Sequence, residues 1–181
     1  METAGTTEVR FRRPEPADGA RVHALVKASP PLDVNSEYCY LLLCSHFSAT
    51  CTIAERAGSL IGFQTGYFRP DAPDVLFIWQ IAVSPEGRGM GIGKRMVKDL
   101  LASFPRGKIR HLEQTVTKSN TASRALFESV ARDLHTTVTE SLLFGQQHFE
   151  SGSHDAEYLL RIGPIVEVTQ HHQLKQTTNK E

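Results

Sequence analysis

The chain has 181 residues, a length that suits one domain with a substantial core, and its 20 basic residues are balanced by 20 acidic ones. With a sequence pI of about 7.1, the charge gives no basis for binding nucleic acid or an anionic membrane. No apolar run approaches the roughly 18 residues of a membrane span, and the stretch METAGTTEVR lacks the apolar core of a secretion signal. The three cysteines are an odd number without the spacing of a metal site. We therefore expect a soluble, cytoplasmic protein.

The first third of the chain is predicted to contain one strand and two helices. Val9 to Arg13 has the composition of a short strand that ends at Pro14. Apolar residues at helical spacing predict a helix from Ala17 to Ala28, which Pro30-Pro31 stops. After the loop PPLDVNS, a helix from Glu37 to Phe47 is apolar on most of its sides, so we expect it to be buried or to line a pocket or a subunit interface.

The remainder of the chain alternates strands and helices. An antiparallel hairpin is predicted over 50–56 and 60–68, followed by a central apolar strand at 75–83. A glycine-rich turn and a helix come next, and then a strand, an amphipathic helix and two closing strands at 109–117, 119–131, 138–144 and 157–162. The predicted fold class is α/β with a mixed sheet. We assign residues 1–166 to one domain and expect the polar stretch 167–181 to be a disordered tail.

The glycine-rich turn carries the strongest signal for a ligand. From Val75 to Leu101 the sequence is VLFIWQIAVSPEGRGMGIGKRMVKDLL, an apolar strand, a turn with closely spaced glycines, and then one apolar helix face. Unpaired N–H groups at a helix N-terminus attract phosphate, and glycines let the backbone approach an anion closely. The spacing Arg88-x-x-Gly91-x-Gly93 is neither a dinucleotide motif nor a P-loop. An ordinary strand–helix turn is the alternative interpretation.

This motif resembles the pyrophosphate-binding signature of the GNAT family of N-acetyltransferases, which bind coenzyme A at this position. The predicted order β-α-α-β-β-β-α-β-α-β-β is similar to the order of the GNAT fold. That fold implies a mixed, mostly antiparallel sheet of six to seven strands, flanked by helices and splayed between the fourth and fifth strands.

Three longer segments resemble the diaminobutyrate acetyltransferases of ectoine synthesis: PPLDVNSEYCYLLLCSHF, FIWQIAVSPEGRGMGIGKRM and HFESGSHDAEYLLRIGP. The resemblance implies transfer of acetyl from acetyl-CoA to the 4-amino group of L-2,4-diaminobutyrate, a reaction of the osmotic stress response. The residues alone indicate only coenzyme A-dependent acyl transfer. An acetyltransferase of another small amine, or a non-catalytic regulatory module that binds coenzyme A, remains as an alternative.

The resemblance also implies where acetyl-CoA would bind. Backbone N–H groups of the turn would hold the pyrophosphate, and the residues concerned are Arg88, Gly89, Met90, Gly91, Ile92, Gly93 and Lys94. The side chains of Arg88, Lys94 and Arg95 are charge-assisted candidates for the phosphate oxygens. Ile81 and Val83 would pair with the pantetheine amides, and the Val83 N–H would stabilise the oxyanion as a catalytic group.

The segment NTASRALF matches the family pattern Asn-x-x-Ala/Ser-x-x-Leu-Tyr, which makes Asn120, Ser123 and Phe127 candidate cofactor contacts. Asn120 is alternatively only a helix cap. Phe127 occupies the position at which the family frequently has a tyrosine proton donor, and phenylalanine cannot donate. Water, Ser123 or a tyrosine elsewhere would then protonate the leaving thiolate.

A substrate with two ammonium groups and one carboxylate calls for acidic residues and an aromatic wall. Asp33 and Glu157 are candidates for the ammonium groups, Trp79 for a cation or the carboxylate, and Tyr38 as a further hydroxyl. Each of these residues also has a purely structural alternative: Asp33 as a loop cap, Trp79 as a core residue, and Glu157 as a solvent-facing strand residue. Glu157 or His154 is expected to accept the proton of the attacking amine.

No metal is expected, because the spacing of His148, His154, Asp155 and Glu157 matches no standard zinc pattern and acyl transfer to an amine needs no metal. The expected partners are the small diamino acid and, in a possible homodimer, a second copy of the chain. The apolar helix at 37–47 and the closing strands are the features that suggest the dimer.

Overall fold

The computed structural model describes residues 8–150 and 154–166, so the predicted tail at 167–181 lies outside the described residues. These ranges contain seven strands in one sheet: β1 (Arg10–Arg12), β2 (Thr52–Arg56), β3 (Ser59–Arg69), β4 (Ala72–Val83), β5 (His111–Val116), β6 (Val138–Phe144) and β7 (Glu157–Ile162). They also contain four α-helices: α1 (Gly19–Lys27), α2 (Glu37–Ser45), α3 (Ile92–Ala102) and α4 (Thr121–Asp133). The order of strands and helices along the chain is the predicted one.

The sheet is mixed, with the spatial order β1-β2-β3-β4-β5-β7-β6. All neighbouring strands pair antiparallel except β4 and β5, which are parallel and are connected through α3. A parallel pair needs such a crossover, because the chain must return to the same end of the sheet. The predicted α/β fold with a mostly antiparallel sheet is therefore confirmed.

Helices cover both faces of the sheet and bury separate parts of the core. On one face, α3 and α4 pack Val97 and Phe127 against Leu76 of β4 and Leu160 of β7. On the other face, α1 and α2 cover the first strands around the buried ring of Tyr40. Each fully buried side chain of this size contributes roughly 1.5–3 kcal/mol through the removal of apolar surface from water. The core therefore fixes β4 between two helical layers.

Strands β4 and β5 separate soon after they meet. They pair only from Val75 to Phe77 on β4 and from His111 to Glu113 on β5. Beyond these residues β4 continues to Val83 and β5 to Val116 without pairing between them. The predicted splay between the fourth and fifth strands is present, and it opens a gap in the middle of the sheet.

A β-bulge lies on β4 at the edge of this gap. Thr65 of β3 pairs with Gln80, whereas the next residue, Gly66, pairs with Ile78, so Trp79 is an extra residue with no partner on β3. A bulge changes the alternation of side chains between the two faces of a sheet. As a result, Trp79 and Gln80 both project to the side of α1 and α2.

A network of charges fastens β1 to the first helix. The Arg12 guanidinium donates to Asp18 at 2.7 Å and to Glu55 at 2.8 Å, and Asp18 has only 2% of its side chain exposed. Burial alone would raise the pKa of Asp18, but hydrogen bonds from Arg12 and from the Glu15 N–H outweigh it, and the net pKa lies below the ordinary value.

The cysteines Cys39, Cys44 and Cys51 are free thiols. Burial raises the pKa of Cys44 to about 12 and that of Cys51 to about 11, so both remain protonated and unreactive at neutral pH. None of the helices in the described ranges has the length and apolar character needed to span a bilayer.

Candidate active site

The gap between β4 and β5 opens into a cleft of about 670 Å³. Four parts of the chain line it: the loop at 31–35, strand β4 at 78–81, β5 with the start of α4 at 114–123, and the segment 154–157 before and at the start of β7. Several residues predicted from sequence meet here, namely Asp33, Trp79, Ile81, Asn120, Ser123, His154 and Glu157. Segments that are far apart in the chain therefore contribute to one site.

Acidic groups and an imidazole converge at one end of the cleft. The His154 Nε2 lies 3.9 Å from a Glu157 carboxylate oxygen and 4.0 Å from an Asp33 carboxylate oxygen. The Glu157 side chain is only 18% exposed, whereas that of Asp33 is 88% exposed. The other oxygen of Glu157, Oε2, is buried and has no hydrogen-bond partner in the part of the chain that the structure describes. A buried carboxylate oxygen without a donor favours binding of a cationic ligand.

The orientation of His154 is set by two contacts. Its Nδ1 lies 2.7 Å from the Asp155 carbonyl oxygen, and its ring stacks on Phe149 with the centroids 4.1 Å apart. A carbonyl can only accept a hydrogen bond, so Nδ1 carries the proton. In the neutral ring Nε2 is then the basic nitrogen, and it faces Glu157 and Asp33.

Trp79 forms an aromatic wall on the β4 side of the cleft. Because it is the extra residue of the bulge, its ring leaves the strand and remains 44% exposed. It lines both the cleft and a neighbouring apolar groove of about 440 Å³. The structure therefore rules out the alternative that Trp79 is a core residue.

The backbone groups of Ile81 and Val83 face the gap rather than β3. The Ser84 N–H donates to the Ile61 carbonyl at 2.9 Å, and in an antiparallel pair only every second residue makes such bonds. The pair of Val83 with Gly62 is therefore non-hydrogen-bonded, and the same holds two residues earlier for Ile81. Their N–H and C=O groups point to the side from which β5 has separated, where an extended ligand can pair with them as an added strand would.

The glycine turn (residues 88–94) leads from the end of β4 into α3. Gly89 and Gly91 have φ angles of 76° and 70°, which glycine adopts without strain, and a Cβ on either would meet no atom within 4 Å. Gly93 serves a different purpose, because a Cβ there would lie 2.5 Å from the Leu126 side chain of α4. The first two glycines shape an open concave turn, and the third lets α3 and α4 approach closely.

Several backbone N–H groups of this turn make no hydrogen bond within the described residues. Among the described residues, no hydrogen-bond acceptor is found for the N–H groups of Gly89, Gly91, Ile92, Gly93 and Lys94. The N–H groups of Arg88 and Met90 are occupied within the turn, by the carbonyls of Pro85 and Gly87. Unpaired donors at the start of α3, together with the helix dipole, form a site for an anionic group.

The charged side chains near the turn are not equivalent. Arg88 is exposed at the turn. Lys94 points to α4 instead, where its Nζ lies 3.1 Å from the Ser129 hydroxyl and 3.3 Å from an Asp133 carboxylate oxygen. Arg95 lies over the ring of Phe11 at 4.6 Å. Lys94 thus offers a ligand its backbone N–H more readily than its ammonium group.

At the start of α4, Asn120 caps the helix, because its side-chain oxygen accepts from the Ser123 N–H at 3.1 Å. Both residues also line the cleft, so the cap and a ligand contact are compatible. Phe127 has no exposed surface and belongs to the core under α4. This corrects the prediction that Phe127 contacts the cofactor, since a side chain without exposed surface offers a ligand no contact.

The second tyrosine of α2, not the first, is connected to the cleft. Tyr38 is 68% exposed and is not among the residues that line the cleft, so its assignment to the substrate site stays a prediction. Tyr40 is fully buried, and its hydroxyl bonds to Gln80 and to the backbone of Asn35. The helical turn of α2 separates the two residues by about 200°, so they face opposite sides of the helix.

Gln80 and Gln114 were not predicted as site residues, although both line the cleft. Gln80 donates to the Asp33 carbonyl at 2.8 Å, and Gln114 donates to the Ser123 carbonyl at 3.3 Å. Both amides are buried, Gln80 in the mostly apolar strand β4 and Gln114 in β5, which also carries His111 and Glu113. An amide within an apolar strand is uncommon, so the composition of β4 is the signal by which the sequence could have indicated Gln80, and β5 gives no such signal for Gln114.

Taken by its geometry, the site can bind an anion at the glycine turn, pair an extended ligand along β4, and hold a cation at the acidic end of the cleft. Within the described ranges, no group of three or more His, Cys, Asp or Glu side chains is placed to hold a metal ion.

Comparisons with known proteins agree with this geometry. Residues 20–131 match the model of the acetyltransferase (GNAT) family. The chain is 44% identical over 165 residues to an L-2,4-diaminobutyric acid acetyltransferase of Bordetella parapertussis, covering 91% of this chain and 89% of that protein. The corresponding enzyme of Methylotuvimicrobium alcaliphilum is 41% identical over 157 residues, covering 87% and 91%.

A solved structure is similar over the same length. Diaminobutyrate acetyltransferase EctA from Paenibacillus lautus, in complex with its substrate L-2,4-diaminobutyric acid and coenzyme A, superposes with a TM-score of 0.83 at 40% identity. The match covers 89% of this chain and 98% of that one. The chain therefore belongs to the acetyltransferase (GNAT) family and, within it, to the diaminobutyrate acetyltransferases.

Proposed function

We propose that the protein transfers the acetyl group of acetyl-CoA to the 4-amino group of L-2,4-diaminobutyrate. The product is N4-acetyl-2,4-diaminobutyrate, an intermediate of ectoine biosynthesis, made in the cytoplasm under osmotic stress. One observation carries the proposal: a cleft beside the open backbone of β4 holds Glu157 with a buried oxygen that has no donor among the described residues. The family membership and the substrate-bound relative support the same reaction.

Acetyl-CoA would bind along the C-terminal half of β4. The free N–H groups of the glycine turn would bind its pyrophosphate, with Arg88 as a charge-assisted contact. The pantetheine arm would pair with the backbone of Ile81 and Val83, which faces the gap. Ile81 lies beside the turn, since its side chain would be 3.5 Å from a Cβ at Gly93, and it also lines the cleft. The thioester would thus reach the acidic end of the cleft.

The diamino acid would bind between the two walls of the cleft. Asp33, exposed at its mouth, would hold the ammonium group that does not react, while Trp79 would shield the carbon chain. Glu157 and His154 lie deeper and would face the nitrogen that reacts. A neutral amine is the nucleophile, so one of these two groups takes its proton, either before or during attack.

The reaction then follows ordinary acyl transfer. The amine nitrogen bonds to the thioester carbon, and the negative charge that develops on the carbonyl oxygen is stabilised by the Val83 N–H. Collapse of this intermediate breaks the carbon–sulfur bond and releases the coenzyme A thiolate. With Phe127 unable to donate, the thiolate takes its proton from water or from the Ser123 hydroxyl, which lines the cleft.

A thiol-release assay with acetyl-CoA and a panel of amines tests this proposal. We expect turnover of L-2,4-diaminobutyrate with a kcat/KM at least about tenfold above that of ornithine, 2,3-diaminopropionate and putrescine, because chain length sets the distance between the two ammonium groups. Preference for another amine would identify an acetyltransferase of that amine. Coenzyme A binding without turnover of any amine would identify a regulatory module.

We also propose that the protein forms a homodimer. The edge strand β6 exposes Leu142, Leu143 and Phe144, and Phe144 lines the apolar groove together with Phe47 and Tyr67. An exposed apolar edge strand is a site of association unless it is covered. A second copy of the chain would cover this surface.

A further inference from the structure

Gln80 makes a bridge between β4 and the loop that carries Asp33. It is 6% exposed, and both ends of its side-chain amide are bonded. The Nε2 donates to the Asp33 carbonyl at 2.8 Å, and the Oε1 accepts from the Tyr40 hydroxyl at 3.3 Å. A buried amide with both ends satisfied is held in one orientation, because any other leaves a polar group unpaired.

Tyr40 completes the bridge from the helix side. Its ring is fully buried and packs edge-on against Phe63, and its hydroxyl also accepts from the Asn35 N–H at 3.3 Å. Gln80 and Tyr40 therefore bind a backbone carbonyl and a backbone N–H of the same loop, at Asp33 and two residues later. The loop's other backbone bond among the described residues joins the Leu32 N–H to Ser29.

The Asp33 carboxylate itself has little to hold it. It is 88% exposed, and the one basic side chain within 4.0 Å of it in the described part of the chain is that of His154, through its Nε2. Its position over the cleft therefore depends on where its backbone is held. That backbone is tied to Gln80, which directly follows the bulge residue Trp79 on β4. The positions of Asp33 and Trp79 therefore both depend on the same short stretch of β4.

We infer that Gln80 and Tyr40 are positioning residues that hold Asp33 over the cleft for the ammonium group of the diamino acid. The inference rests on the proposed function and adds residues that determine the affinity for the amine. Tyr40 does not line the cleft, and Gln80 lines it but has both ends of its amide already bonded, so the pair acts through the loop. Loss of the bridge lets the loop sample positions in which the carboxylate no longer meets the amine.

Two variants test the inference. Gln80→Met keeps the length of the side chain but removes its hydrogen bonds, and Tyr40→Phe keeps the buried ring but removes the hydroxyl. We expect the KM for diaminobutyrate to rise about tenfold in the first and about threefold in the second, with kcat and the KM for acetyl-CoA each within about twofold of wild type. Thr65→Val is the control, because Thr65 is the buried cross-strand partner of Gln80 and its hydroxyl is bonded to the Cys51 thiol, not to the loop. Its KM should stay unchanged.

A double-mutant cycle with Asp33→Asn separates positioning from general loss of structure. If Gln80 acts through the Asp33 carboxylate, then Gln80→Met should change the KM by less than about twofold once that carboxylate is gone. The inference would be overturned if the KM effects of Gln80→Met and Asp33→Asn multiplied in the double variant. It would also be overturned if Gln80→Met left the KM for diaminobutyrate unchanged, or if it weakened acetyl-CoA binding to the same extent. A wild-type protein without diaminobutyrate turnover would overturn the proposed function and, with it, this inference.

Discussion

The Oε2 of Glu157 is a buried carboxylate oxygen without a hydrogen-bond donor among the described residues, so a cationic ligand would satisfy it. Replacing Glu157 with glutamine keeps the shape of the side chain but removes the charge and introduces an amide. We expect kcat/KM for diaminobutyrate to fall by about 10²-fold or more, because both cation binding and proton acceptance depend on this carboxylate. Steady-state kinetics measures this, and the affinity for coenzyme A should stay at the wild-type value.

The matched control for Glu157 is Glu128→Gln, which makes the same change on an exposed position of α4. It should leave kcat/KM within about twofold of wild type, as surface substitutions generally do. Equal effects of the two substitutions would contradict the role of Glu157.

At the residue scale, the sequence indicated which residues could serve the chemistry, but it indicated less well in which direction their side chains point. Asp33, Trp79, His154 and Glu157 were singled out from their types and from a resemblance, and the structure places all four in one cleft. The sequence did not indicate that Tyr40 is buried and bonded to Gln80, because α2 is apolar on most sides and its buried face could not be identified from periodicity.

At the scale of elements, the glycine turn and α3 form the unit on which cofactor binding depends. Gly91→Ala should weaken acetyl-CoA binding about tenfold or more, because a Cβ would project from a turn whose backbone donors must contact the pyrophosphate. Isothermal titration calorimetry with acetyl-CoA measures this. The positive φ of 70° adds a destabilisation of about 1 kcal/mol that does not depend on the ligand.

The control for this strain is Gly107→Ala in the turn after α3. Gly107 has a φ of 75°, and a Cβ there also meets no atom within 4 Å. It should lower the thermal stability by a similar amount while leaving acetyl-CoA affinity unchanged. Weakened binding in both variants would show that strain, and not access to the turn, controls the affinity.

The elements themselves were largely predictable, but the bulge on β4 was not. Apolar periodicity and the proline and glycine positions predicted every strand and helix to within a few residues. The bulge at Trp79 is a feature of the pairing between β3 and β4, and a pairing register is not a property of either strand's sequence alone. It was therefore visible only in the structure.

For the whole molecule, acid stability depends on the network that fastens β1 to α1. The pKa of Asp18 is depressed in the folded state, so its ion pair stabilises the protein above the unfolded pKa of about 3.9, and this contribution is lost as the pH falls through the folded pKa. Asp18→Asn should cost about 2 kcal/mol of unfolding free energy at pH 7, measured by urea denaturation. The two proteins should converge in stability below pH 4.

Asp71→Asn is the comparison for this prediction. Asp71 also pairs with an arginine, Arg69, at 2.6 Å, but its side chain is 67% exposed and its pair is screened by water. No measurable change of stability is expected at either pH. A difference between Asp18→Asn and wild type that stays constant down to pH 3 would contradict the assignment of the depressed pKa.

Assembly is the second property of the whole molecule. Light scattering after size exclusion should give twice the chain mass of 20.1 kDa for wild type, and Leu142→Lys should give the single-chain mass, because a charge would be buried in the contact. Val166→Lys changes another exposed apolar residue that does not line the groove, and should remain dimeric. A wild-type monomer at all concentrations would refute the proposed dimer.

The overall topology was predicted from the element order together with the family resemblance. The insertion of β7 between β5 and β6 could not be derived from patterning, since strand order depends on pairings between distant segments. This insertion has a functional consequence. It brings the start of β7, with Glu157, next to the end of β5 and so to the cleft.

The site of acetylation on the product tests the central claim most directly. The enzyme is supplied with acetyl-CoA labelled with ¹³C at the acetyl carbonyl and with L-2,4-diaminobutyrate, and the product is analysed by ¹H–¹³C correlation NMR. The account predicts that the labelled carbonyl correlates with the protons on C4. A correlation with the proton on C2 instead, or no acetylated diaminobutyrate at all, would contradict it.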